Sequence, residues 1–104
     1  MVNTVTPQQA QELISRGELD IVDVREPTGW SRGHLAGARL VPRQRLKANP
    51  KGELPRDGII FVCAAGVRSE AAARVAAGLG LRTLYNLGGG TRSWVNAGLP
   101  LVHD

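Results

Sequence analysis

Gly58-Ile59-Ile60-Phe61-Val62-Cys63-Ala64-Ala65-Gly66-Val67-Arg68-Ser69 is an apolar run that meets the one cysteine of the chain and then a short loop of small residues. The alanine-rich stretch behind it places Ala72, Val75, Ala76 and Leu79 on one helical face. A strand, a tight loop and a helix put Cys63 where a helix start offers unpartnered N–H groups and a partial positive charge. A thiol in that field is more acidic, and the thiolate is its nucleophilic form. The alternative is an inert buried thiol at a strand end, a common place for free cysteine. The loop argues for the reactive thiol. Gly66 can turn the backbone so that successive N–H groups form an anion-binding nest, and Ala64 and Ala65 leave those groups unobstructed. Arg68 can add a fixed charge or hold the loop carbonyls. Ser69 reads as the N-cap of the helix.

Outward from this segment the chain alternates strands and helices, the pattern of an α/β domain. Thr6-Pro7-Gln8-Gln9 is a capping box with proline at the first helical position. Ala10, Leu13 and Ile14 then form an apolar stripe, and Gly17 is placed to end the helix. Leu19 to Val24 reads as a buried strand, Pro27 to Arg32 as a short helix, and Ala38 to Val41 as a further strand. Pro42 to Asn49 holds a helical turn closed by the breakers Asn49-Pro50-Lys51-Gly52. Ile59 to Val62 is the most apolar strand and is expected at the centre of a mostly parallel sheet. Leu81 to Tyr85 reads as the last strand and Thr91 to Asn96 as the last helix. Cys63 then lies at the carboxyl end of a central strand, where open α/β sheets hold their ligands.

Composition bounds the function. The 104 residues, 42% hydrophobic and 21% charged, suit a single domain over 1–104 with its own core. One cysteine cannot form an internal disulfide, and the first residues carry neither a basic region nor an apolar core, so the expected location is the cytoplasm. No run is long enough to span a membrane. The net charge of +4 is spread over scattered arginines without interleaved aromatics, which points to a solvated basic face rather than nucleic-acid binding.

Three segments, in order, resemble the rhodanese-like family of single-domain sulfurtransferases. They are Ile21-Val22-Asp23-Val24-Arg25-Glu26-Pro27 with Trp30 and Gly33-His34-Leu35-Ala36-Gly37-Ala38; the Cys63 to Ser69 loop; and Tyr85-Asn86-Leu87-Gly88-Gly89-Gly90 with Trp94 and Ala97-Gly98-Leu99-Pro100. The resemblance implies a three-layer α/β fold, a mostly parallel central sheet with helices on both faces. It also implies that the Cys63 thiolate takes the sulfane sulfur of thiosulfate or a persulfide and passes it to cyanide, a small thiol or a protein cysteine. The N–H groups of Ala64 through Ser69 would stabilise the persulfide, with no metal or organic cofactor. Asp23 and Arg25 are expected to pair with each other or support the loop. His34 is expected to satisfy backbone groups, His103 to be solvated, and Trp30 and Trp94 to pack.

Spacing separates this chemistry from its rivals. Related folds that act on phosphate or arsenate carry one more residue between cysteine and arginine, whereas here four residues separate Cys63 from Arg68. A non-catalytic rhodanese-like binding module is the other alternative, and the presence of Cys63, Gly66 and Arg68 argues against it. Two positions depart from the family pattern: Gly29 and Gly88 stand where acidic residues are frequent. Because the loop carries no charge besides Arg68, weak thiosulfate affinity and a persulfide donor are expected.

Overall fold

The computed structural model describes residues 1–104. Its elements are β1 (Val2–Val5), α1 (Pro7–Ser15), β2 (Asp20–Asp23), α2 (Pro27–Ser31), β3 (Arg39–Leu40), α3 (Arg43–Ala48), α4 (Pro50–Glu53), β4 (Ile59–Val62), α5 (Val67–Gly78), β5 (Leu84–Leu87) and α6 (Gly90–Asn96). The strands form one sheet in the order β1-β5-β4-β2-β3, with every neighbouring pair parallel. Parallel neighbours need crossover connections, and these lay helices over both faces.

β4 is central, as expected from its composition, and all four of its residues are buried. Strand alternation divides them between two cores. Ile59 and Phe61, followed by Cys63, pack with Ala72, Ala73 and Ala76 of α5 and with Leu46 of α3. Ile60 and Val62 pack on the opposite side with Ala10 of α1 and Trp94 of α6. The thiol therefore sits where the best-buried strand passes into the helix that covers it. No helix is long and apolar enough to cross a membrane.

Thr6 caps α1 through the expected box: its hydroxyl accepts from the Gln9 N–H at 3.1 Å, and Gln9 Oε1 accepts from the Thr6 N–H at 2.9 Å. Elsewhere the structure corrects the reading. β1 was not anticipated; it is a four-residue edge strand that pairs only with β5. The last strand runs from Leu84 to Leu87 rather than from Leu81 to Tyr85. The N–H groups of Arg82 and Thr83 bond the Asp57 carboxylate at 3.0 and 2.9 Å, which holds that stretch out of the ladder. Asn49-Pro50-Lys51-Gly52 does not simply break a helix: Asn49 caps the next one, its Oδ1 accepting from Gly52 N–H at 3.2 Å. In α1, Ala10 is buried whereas Leu13 and Ile14 are half-buried. In α5 the buried face is Ser69, Ala72, Ala73 and Ala76, with Val75 and Leu79 only half-buried.

Candidate active site

The site begins with a change of backbone hand. Gly66 has φ +88°, the left-handed conformation that glycine adopts without penalty, and it starts α5 three residues earlier than a Ser69 cap would. Ser69 is thus the third residue of the helix, fully buried, with its side chain turned towards the cysteine. Three polar groups converge on Cys63 Sγ. The Gly66 N–H lies at 3.1 Å, the Ser69 N–H at 3.4 Å, and the Ser69 hydroxyl at 3.2 Å. Burial pushes the thiol up, the largest single influence on it. The Ser69 hydroxyl and the N–H groups of Ser69, Ala65 and Gly66 together outweigh that and hold the thiol below its ordinary value.

Asn86 holds the arrangement from β5. Its Oδ1 accepts from the Ser69 hydroxyl at 2.5 Å, and its Nδ2 donates to Gly66 O at 3.1 Å. Ser69 has one hydroxyl proton. With Cys63 protonated, the chain of donors can run from thiol to Ser69 to Asn86; with Cys63 ionised, Asn86 and the sulfur compete for that proton. Asn86 was not among the expected site residues, because the strand was expected to end at Tyr85 and left Asn86 beyond it.

The glycines after β5 form the other clamp. The N–H groups of Thr91 and Arg92, opening α6, donate to the carbonyls of Cys63 and Ala64 at 2.9 and 3.2 Å. With those carbonyls held outward, the loop N–H groups face the sulfur. Close approach requires Gly90, where a Cβ would lie against Cys63 O and Ala64 C and 2.5 Å from Ala64 O. The Gly88-Gly89-Gly90 segment is therefore part of the clamp on the loop. It also relieves Arg68 of the carbonyl-holding role, and Arg68 is exposed with no ion-pair partner.

Asp23 and Arg25 pair, as one of the two expected arrangements had it. Arg25 Nε and Nη2 donate to the Asp23 carboxylate at 3.0 and 2.7 Å, and Nη2 reaches Gly33 O at 2.8 Å. Gly29 lies over this pair: a Cβ there would be 3.3 Å from Arg25 Cδ. Gly88 faces β1, where a Cβ would come 3.0 Å from Thr4 Cγ2 and from Val5 O. At both positions a Cβ would make its neighbours give by a few tenths of an ångström. Trp30 stacks on His34 with ring centroids 3.4 Å apart, and Trp94 packs in the core with its Nε1–H donating to Pro100 O at 2.8 Å. His34 bonds Trp30 O through Nδ1 and, beyond the backbone role expected, meets the Asp104 carboxylate through Nε2 at 2.7 Å. His103 is exposed yet lies 3.0 Å from Arg32 O.

Above the loop opens a cleft of about 760 Å³, with Ala64 and Arg68 in its wall. Arg32 and Arg92, remote in sequence, also line it. The expectation of a weakly charged site considered the loop alone; folding adds cations from two further elements.

Comparison with known proteins agrees with this architecture. The rhodanese-like domain family model matches residues 6–97, and the chain belongs to that family. Thiosulfate sulfurtransferase GlpE of Ectopseudomonas mendocina is 36% identical over 93 residues, 86% of this chain and 82% of its own length. The crystal structure of a rhodanese-related protein from Thermoplasma volcanium superimposes with a TM-score of 0.86 at 31% identity, covering 98% of this chain and 99% of that one. A Rhodopseudomonas palustris protein of unknown function, described as a possible tyrosine phosphatase, gives 0.83 at 30% identity over 97% and 85% of the two chains.

Proposed function

We propose that residues 1–104 act as one domain that transfers a sulfane sulfur through a persulfide on Cys63. The Cys63 thiolate attacks the outer sulfur of thiosulfate; the S–S bond of the donor breaks, and sulfite leaves with its electron pair. Cyanide, a small thiol or a protein cysteine then attacks the outer sulfur of the Cys63 persulfide, and the thiolate returns. The chain has no second cysteine to receive the sulfur, so the acceptor comes from outside it. The lowered thiol pKa favours the thiolate that makes this attack. The observation that carries this reading is the convergence of Gly66 N–H, Ser69 N–H and Ser69 hydroxyl on one sulfur.

Val67 and Arg68 open α5, where N–H groups have no carbonyl one turn back, and these would stabilise the outer sulfur of the persulfide. Cys63 is only 1% exposed, which suits attack on a projecting terminal sulfur better than on a bulky tetrahedral phosphate. The description of the Rhodopseudomonas relative favours a phosphatase as second reading, and the four-residue spacing from Cys63 to Arg68 weighs against it. Steady-state thiocyanate formation from thiosulfate and cyanide tests the proposal. Parallel double-reciprocal lines, lost in Cys63→Ser, are expected. Hydrolysis of p-nitrophenyl phosphate without thiocyanate formation would replace it by the second reading.

A further inference from the structure

The buried Ser69 hydroxyl has one proton and two claimants. Cys63 Sγ lies at 3.2 Å on one side and Asn86 Oδ1 at 2.5 Å on the other. The other contacts of the Asn86 amide fix its orientation. Gly66 O, at 3.1 Å, can only accept, so Nδ2 faces it, and Thr4 Oγ1 lies 3.5 Å from the same nitrogen. Oδ1 is left towards Ser69, where it too can only accept. While Cys63 is a neutral thiol the chain is consistent: its S–H donates to Ser69 Oγ, and Ser69 donates to Asn86. When Cys63 ionises, the sulfur gains the Ser69 proton only by taking it from Asn86. Asn86 is 3% exposed, and a buried acceptor without its donor is costly.

Sulfur loading moves the charge. In the thiolate the negative charge sits on Sγ; in the persulfide proposed above it sits on the outer sulfur, and Sγ becomes a weak acceptor. Ser69 can then return its proton to Asn86. We infer that Asn86 is a positioning residue acting through Ser69: it yields the hydroxyl to the thiolate, reclaims it in the persulfide, and so favours the sulfur-loaded form over the free thiolate. This inference rests on the sulfurtransferase reading above. No proton leaves Ser69 at any stage. One hydroxyl changes direction, and the bonds made and broken are those of the sulfur transfer itself. The backbone of Asn86 is held in register between Thr4 of β1 and Phe61 of β4, so its carbonyl is a fixed reference against which the loop and its sulfur change.

Double-mutant cycles test the competition. The readout is the ultraviolet titration of the Cys63 thiolate, and the quantity compared is the upward shift that Ser69→Ala causes in three backgrounds. Asn86→Leu has no acceptor and leaves the hydroxyl to the sulfur, so Ser69→Ala should shift the midpoint further there than in wild type. Asn86→Asp offers a stronger, charged acceptor, so the shift should be smaller there. If Asn86 merely braced the loop, both substitutions would weaken the contact between Ser69 and the sulfur, and the shift would shrink in both. A shift in Asn86→Leu equal to or smaller than that in wild type would overturn the inference.

Two further measurements address the loaded form. In mixtures of thiosulfate and sulfite, above the thiol midpoint, the ratio of persulfide to free Cys63 should fall about five- to tenfold in Asn86→Leu, the worth of one hydrogen bond. An unchanged or raised ratio would overturn the inference. Wild-type protein supplies a readout that needs no variant to fold: the side-chain carbonyl carbon resonance of Asn86. It should move as Cys63 ionises and return towards its low-pH position when thiosulfate loads the sulfur. A resonance that ignores ionisation, or that stays displaced after loading, would overturn the inference. If neither thiosulfate nor a persulfide donor loads wild-type Cys63, the sulfurtransferase reading fails and the inference with it. Normal loading with a null cycle overturns the role of Asn86 alone.

Discussion

Replacing Gly90 with alanine should cost more than any other single methyl group near the site. Gly90 has φ +63°, and an added Cβ would press on the carbonyl oxygen of Cys63 and the carbonyl carbon of Ala64. Two costs add. The left-handed conformation costs a residue with a Cβ about 1 kcal/mol, and moving packed backbone to relieve the overlap costs about 1–3 kcal/mol. The sum, about 2–4 kcal/mol, corresponds to a fall in Tm on the order of 10–20 °C for a chain of this size. Gly98→Ala is the internal control, because Gly98 has φ +82° and nothing within 4 Å of its would-be Cβ. It incurs the conformational cost alone, about 1 kcal/mol. Urea unfolding followed by tryptophan fluorescence compares the two. Ultraviolet titration of the thiolate adds the functional readout: to relieve the overlap, α6 must withdraw its Thr91 and Arg92 N–H groups from the Cys63 and Ala64 carbonyls. The loop then loses its alignment on the sulfur, and the thiol should titrate higher in Gly90→Ala than in wild type. Equal midpoints for Gly90→Ala and Gly98→Ala, with an unchanged thiol titration, would refute the clamp.

Ser69→Ala removes one donor from Cys63 Sγ and should move the thiol titration upward. Asn86→Asp keeps an acceptor for Ser69 but sets a negative charge behind the sulfur and loses the donor to Gly66 O, so it should move the same titration upward and slow persulfide formation. In the wild type, loading should rise with pH to a midpoint below that of a free cysteine thiol; a midpoint at or above that of the free thiol would contradict the convergence on the sulfur. The sign for stability follows: the ionised thiol stabilises the fold above the unfolded-state pKa, and this contribution is lost as pH falls through the folded value. His34→Ala removes the stack on Trp30 and a buried ring and should cost about 2–4 kcal/mol in chemical denaturation. Asp104→Asn, whose side chain is 85% exposed, should cost less than about 1 kcal/mol.

The central strand and the first helix were legible because their signals are local. β4 is apolar on both faces, and the α1 capping box lies within four consecutive residues. β1 gave little signal, since Val2 and Val5 are only half-buried at a sheet edge. β5 was misplaced because its N-terminal boundary is set by Asp57, 25 and 26 residues away from the N–H groups it captures. Ser69 looked like a cap because serine favours that role, yet the left-handed Gly66 decides where α5 starts. The cysteine and its loop could be read as one contiguous segment. Asn86, Arg32 and Arg92 could not, because only the crossovers of a parallel sheet bring them to the loop.

Intact-mass analysis after incubation with thiosulfate tests the persulfide on Cys63 most directly. Wild-type protein should gain the mass of one sulfur atom, lose it on addition of cyanide, and show no gain in Cys63→Ser. An unmodified wild-type mass with thiosulfate and with persulfide donors, or the same adduct in Cys63→Ser, would contradict the assignment of Cys63 as the sulfur carrier.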